Sequence, residues 1–178
     1  MDFQEAQKDM RHAYMGGGPG ALVSSLIWLI AGGLAIYTSN QTSILVFFFG
    51  GMLIHPMGIL GSKFFNRTGK HQPDNPLAKL AMESTLILFI GLFIAYLIFQ
   101  LRADWFFSIM LMMIGLRYVI FQSIYGLKIY WVLGLTLTIA GIVCLVFNQA
   151  IYIAAILGGL IELIFSIVII RSERKTNT

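Results

Sequence analysis

Four ionisable side chains, His55, Glu83, Arg117 and Glu162, each lie inside a different long apolar run of the chain. A charge near the centre of a membrane-spanning helix costs roughly 2.5 to 3.5 kcal/mol on insertion scales, so such residues face partners, a cavity or a pathway. Glutamate and histidine can bind and release protons, whereas a guanidinium stays charged and demands a counter-charge or an anionic ligand. Glu162 or Glu83 is therefore the expected partner of Arg117. Lys79, one turn before Glu83, is a local alternative partner for that carboxylate. Tyr118, Gln122 and Tyr125 form a stripe on the same run as Arg117, and Tyr118 and Gln122 join the candidates for binding a solute or protons. Taken alone, His55 beside Pro56 reads as a satisfied core histidine at a kink.

The background is strongly apolar: of 178 residues, 58% are hydrophobic and 11% charged, and mean hydropathy is +0.82. A soluble domain with a polar surface does not carry such a composition. At about 20 apolar residues per spanning helix the length holds about six spans and no sizeable soluble domain. The expected fold is all-α, a single membrane domain over 1–178. Spans are placed near 21–37, 43–65, 76–100, 105–125, 128–147 and 150–170, in three serial helical hairpins. Residues 1–15 put Phe3, Ala6, Met10, Ala13 and Tyr14 on one stripe, which reads as an amphipathic helix lying on the membrane until the run Gly16 to Gly20 breaks it. Asn75 before Pro76 is a helix start, Gly126 a helix stop, and residues 171–178 a polar tail. No cleaved leader is expected.

Lys8, Arg11, Lys63, Arg67, Lys70, Lys79, Lys128, Arg171, Arg174 and Lys175 gather beside one set of helix ends, against Arg102 alone beside the other. The positive-inside tendency then makes both termini cytoplasmic and the location a cell (inner or plasma) membrane. In that frame all four ionisable residues fall in or near the cytoplasmic half of the bilayer. Small residues accompany two of them: Gly51, Gly58 and Ser62 align with His55, and Ala155, Gly158 or Gly159 and Ser166 with Glu162. Glycine precedes the ionisable residue in each returning helix (Gly51, Gly115, Gly159), so an internal duplication is one reading of the hairpins. Small-xxx-small spacing over Ala154–Gly158 and Ala155–Gly159 makes a homo-oligomer reasonable.

Several classes are disfavoured. Basic residues clustered beside apolar runs argue for topology and not for nucleic acid. The lone Cys144 can form no intrachain disulfide or thiolate cluster, and there is no H-E-x-x-H, G-x-S-x-G or P-loop motif, so no catalytic residue, metal or cofactor is expected. His71 and Asp74, with Lys63, Arg67 and Lys70, offer acid-base and phosphate-attracting groups for a membrane enzyme acting on lipid, which stands as a third reading. The two leading readings are a polar cluster that binds or transports a small solute or protons, and a non-catalytic structural or stress-associated protein whose buried charges only pair helices.

The run Gly16 to Gly20, the segment Phe49-Gly50-Gly51-Met52-Leu53-Ile54-His55-Pro56, Asn75-Pro76-Leu77, Glu83-Ser84-Thr85 and Gly115-Leu116-Arg117-Tyr118 together resemble an uncharacterised family of small multi-span bacterial membrane proteins. That resemblance covers most of the chain and implies an inner-membrane location, with no established activity. The serial hairpins are also similar to those of acid-resistance membrane proteins of bacteria, in their Gly and Leu spacing.

Overall fold

The computed structural model describes residues 1–175, and among them the regular structure is entirely helical. An amphipathic helix α1 (Phe3–Ala13) is followed by the long helices α2 (Gly18–Tyr37), α3 (Asn40–Phe64), α4 (Leu77–Phe99), α5 (Trp105–Tyr125), α6 (Ile129–Val146) and α7 (Ile151–Lys175). All six long helices are apolar and long enough to cross a membrane, counting the short 3-10 turn Met15–Gly17 with α2. The chain is thus a multi-pass membrane protein by length and composition.

Local chemistry sets most boundaries. Asp2 and Glu5 close a reciprocal capping box on α1, with Glu5 N–H donating to Asp2 at 2.7 Å and Asp2 N–H to Glu5 at 3.0 Å. Gly16 and Gly17 take φ of 61° and 80°, a left-handed turn suited to residues without Cβ, and this turn swings the chain from α1 into α2. Ser39 caps α3, which begins three residues earlier than the hydrophobicity suggests because the polar residues Asn40 to Thr42 are already helical. The Asn75 side chain accepts from Leu77 N–H at 2.9 Å, as the Asn-Pro start implies, and Gly126 terminates α5 in the left-handed conformation. One boundary is corrected: α7 continues through Lys175, so Arg171 to Lys175 are helical and not tail. Residues 176–178 of the expected tail lie outside the described part.

Packing follows chain order only in part. The most extensive contacts join α2 with α7, the first long helix with the last, and α5 with α6; α3 lies on the other side of α2, and α4 rests mainly on α5. The hairpins succeed one another in sequence, yet α6 and α7 touch far less than α2 and α3 do. Glycine makes the close pairs possible. A Cβ on Gly134 would lie 2.6 Å from the Gly115 carbonyl oxygen, and one on Gly141 2.6 Å from that of Ser108, so α5 and α6 meet backbone to backbone. Between α2 and α3 the Ser43 hydroxyl donates to the Ala31 carbonyl at 2.6 Å. Trp28, Phe47 and Phe107 interlock at the centre, with the rings of Trp28 and Phe47 4.6 Å apart. By contrast α3 and α4 leave most of their apolar side chains exposed, the surface that hydrocarbon would cover.

Helix α1 departs from its expected role. Of its apolar stripe, Ala6, Met10 and Ala13 are buried against the bundle, with Phe3 left exposed. Directional bonds fix it there. Gln7 donates to the Ser123 carbonyl at 2.8 Å, Asn75 donates to the Ala6 carbonyl at 3.0 Å, and Arg11 meets Glu173 at 2.6 Å. The stripe is therefore spent on protein contact instead of lipid contact. This end of the bundle, with α1, the loop 66–74 and the end of α7, is called the terminal face below.

Substitution of Gly134 by Ala is expected to destabilise the protein by about 1 to 3 kcal/mol, since the added methyl meets main chain that cannot retreat. Gly33→Ala, where nothing lies within 4 Å of the new Cβ, is expected to be neutral or slightly stabilising. Unfolding of the two variants in detergent, run side by side, checks the contrast.

Candidate functional site

The four ionisable residues are dispersed by the fold, and one of them defines a site. Glu162, near the middle of α7, is 0% exposed, and neither of its carboxyl oxygens closes a well-formed hydrogen bond among the described residues. Ser24 and Trp28 of α2 and Tyr118 of α5 face it closely enough to interact. Trp28 is also fully buried, and its indole N–H, on the side of the same carboxyl, closes no well-formed hydrogen bond either. The glycines Gly158 and Gly159 explain how a carboxyl and an indole fit in this space: a Cβ on Gly158 would lie within 3.1 Å of the Trp28 ring, and one on Gly159 within 2.7 Å of Leu29. The small residues expected beside Glu162 thus let α2 close over it.

The neighbours have a chemical character in common. The Ser24 and Tyr118 hydroxyls can donate to a carboxylate or accept from a carboxylic acid, whereas Trp28 Nε1 can only donate. A buried carboxylate with no closed hydrogen bond is costly in a low-dielectric interior, so the group takes a proton or draws on a cation. Arg117 is the nearby cation, within electrostatic range of Glu162 and Tyr118.

Arg117 nevertheless does not form the expected ion pair with Glu162 or Glu83. Its Nη2 donates to Thr85 Oγ1 on α4 at 3.1 Å, its guanidinium carbon lies 5.0 Å from the centre of the Phe121 ring, and its Nε is buried without a partner. The reason is direction: Arg117 follows the face of α5 that meets α4, while Tyr118, the next residue, turns toward Tyr130 of α6 and Glu162 of α7. Among the described residues the ion pairs are Arg11 with Glu173 and Lys79 with Glu83.

His55 and Glu83 do not belong to the Glu162 cluster. Glu83 is 56% exposed at its side chain and lies 3.9 Å from Lys79, one turn away on α4, which is the local alternative and not the shared cluster. His55 is exposed on α3, its ring 6.5 Å from that of Tyr14, and Gly51, one turn earlier, faces open space. The expected core histidine is therefore a peripheral one. Of the stripe Gly51, His55, Gly58 and Ser62, only Gly58 and Ser62 pack inward, Gly58 against Gly20. Gln122 is half-buried, one turn beyond Tyr118, and its carbonyl accepts from the capping N–H of Gly126.

Hydrophobicity patterns did not single out Trp28 and Tyr130. Tyr118 stacks on Tyr130 with centroids 5.7 Å apart, Tyr130 stacks in turn on Tyr125 at 5.7 Å, and the Tyr130 hydroxyl donates to the Gly16 carbonyl at 2.6 Å. This column runs from the Glu162 neighbourhood to the glycine turn under α1, where Glu173 sits 4% exposed and paired to Arg11. On the terminal face itself Tyr14 Oη and His71 Nδ1 are hydrogen-bonded at 2.7 Å, and burial raises the Tyr14 phenol. His71 is thereby engaged in tying the loop to Tyr14. The described residues hold no group of three His, Cys, Asp or Glu side chains that could bind a metal ion.

Residues 3–172 match a family of unknown function, DUF7010. The chain belongs to that family. The match spans α1 and nearly all of the six long helices. No curated protein and no solved structure matches the chain.

Thr85→Val is expected to cost about 1 kcal/mol, because it strips a buried guanidinium of its hydrogen-bond acceptor. Glu83→Gln, which touches only an exposed pair, is expected to cost less than about 0.5 kcal/mol. A larger loss for Glu83→Gln than for Thr85→Val in the same detergent melt would contradict this placement of the charges.

Proposed function

We propose that this family member is a multi-pass membrane protein in which Glu162 takes up and releases a proton, so that it moves protons across the bilayer. The observation that carries the reading is a fully buried carboxyl in no ion pair, facing two hydroxyls that can serve a carboxylate or a carboxylic acid. A structural carboxylate would be expected in a closed ion pair, and Arg117 is turned to Thr85 instead. That weakens the rival in which buried charges only pair helices. The tyrosine column joins the Glu162 neighbourhood to the terminal face, which the excess of Lys and Arg there makes cytoplasmic in this reading, with the protein in a bacterial inner membrane.

A role as a lipid-acting enzyme has less support, since His71, the histidine it would use as a base, is bonded to Tyr14. His55 and Glu83, which sit apart from Glu162, are not needed for proton uptake.

Purified protein in liposomes, driven by a potassium diffusion potential and read with a pH-sensitive dye, tests the proposal. Wild type is expected to acidify or alkalinise the lumen well above empty liposomes. Glu162→Gln is expected to fall to the empty-liposome rate with its melting temperature nearly unchanged, and Glu83→Gln and His55→Gln to retain the flux. Wild type at the empty-liposome rate, or undiminished flux in Glu162→Gln, overturns it.

A further inference from the structure

Away from Glu162, a cavity of about 480 Å³ opens on the terminal face between the ends of α1, α3 and α7. Its polar wall is His12, Asn66, Arg67 and Arg174, its apolar wall includes Phe64 and Phe65, and no acidic side chain lines it. Helix C-termini carry partial negative charge and gather basic side chains, which accounts for the presence of these groups but not for their arrangement. The last carbonyls of α3, those of Ser62 and Lys63, already accept from the main-chain N–H groups of Phe65, Asn66 and Arg67. The guanidiniums are therefore not consumed in capping that helix.

Both guanidiniums are held in place while keeping donors to spare. Arg67 is positioned by His12 Nδ1, 2.7 Å from its Nη1, and by the Glu173 carbonyl, 3.3 Å from its Nη2. Arg174 lies 4.4 Å from the centre of the Phe65 ring, a stacked arrangement that fixes the fork and leaves its edge available. Neither arginine is ion-paired to a carboxylate among the described residues, and the carboxylate of Glu173, whose carbonyl Arg67 meets, is engaged by Arg11. A guanidinium has five N–H donors in a planar fork that matches the oxygens of a phosphate.

The apolar wall indicates where such a phosphate would come from. Phe64 is 81% exposed at the end of α3, and Leu60, one turn back along the same membrane-crossing helix, is 57% exposed. Basic donors above and a continuous apolar surface below match a molecule with an anionic head and hydrocarbon tail. We infer that this cavity binds the phosphate headgroup of an anionic phospholipid in the leaflet on the terminal side, with Arg67 and Arg174 on the phosphate and Phe64 against the upper acyl chain.

The test uses full-length protein in mild detergent, melted with phosphatidylglycerol, with phosphatidylcholine or with inorganic phosphate, alongside native mass spectrometry of retained lipid. Phosphatidylglycerol is expected to raise the melting temperature by at least about 3 °C over phosphatidylcholine and to remain as a mass adduct. The paired change Arg67→Gln with Arg174→Gln should abolish the difference, and Arg102→Gln, at the opposite face, should keep it. Should the double variant fail to fold, Arg174→Gln alone, at an exposed position, must reduce the shift and the adduct. Equal shifts with both lipids, a full shift in Arg174→Gln, or a shift reproduced by inorganic phosphate alone overturns the lipid assignment.

Discussion

The cost of a charge in hydrocarbon governs where this chain puts each of its polar groups. With no water to solvate it, an ionisable side chain between two membrane surfaces must be exposed near an end, bonded inside the protein, or neutral. All three solutions occur. Glu83 stays close to the end of α4 and shares Lys79, Arg117 spends a hydrogen bond on Thr85 and stacks on Phe121, and Glu162 is enclosed with hydroxyl and indole groups around it. The last solution is the least stable for an ion and the most informative about function.

Enclosing Glu162 requires α2 and α7 to approach closely, and that approach depends on small residues. Gly158 and Gly159 of α7 accept Trp28 and Leu29 of α2, while Gly32 of α2 accepts Ile156 in return. The same device joins α5 and α6, so that Tyr118 and Tyr130 can stack across the pair. Dispersion between closely fitted surfaces replaces the hydrophobic effect as the force between helices in lipid. The polar cluster and the glycine contacts are thus one construction. Helix α1 completes it from below, since its bonds to Ser123, Asn75 and Glu173 close the terminal end of the bundle.

Much of the fold was legible in the linear chain because its signals are local. Six apolar runs of about 20 residues, the Asn-Pro start at Asn75, the stop at Gly126 and the glycine break after α1 each act over a few residues. The candidate site was only partly legible. Glu162 and its neighbouring glycines were marked by a charge in an apolar run, but so were His55 and Glu83, which face outward. Helical spacing says which residues share a face and is silent on which face meets another helix. Trp28 carried no signal at all, since a tryptophan in an apolar run looks the same whether its N–H points to lipid or to a carboxyl.

By itself, then, the order of residues determined a six-helix membrane protein with an amphipathic first segment and a basic terminal end, since hydrophobic length and capping chemistry are properties of short windows. Only the tertiary structure decided that α2 packs on α7 as well as on its successor α3, that α1 docks on protein, and that Arg117 turns to Thr85 while Glu162 stays out of an ion pair. Those outcomes depend on the rotation of each helix about its own axis. Rotation is set by the fit of glycine to side chain across neighbours far apart in the chain, and no local window contains both partners.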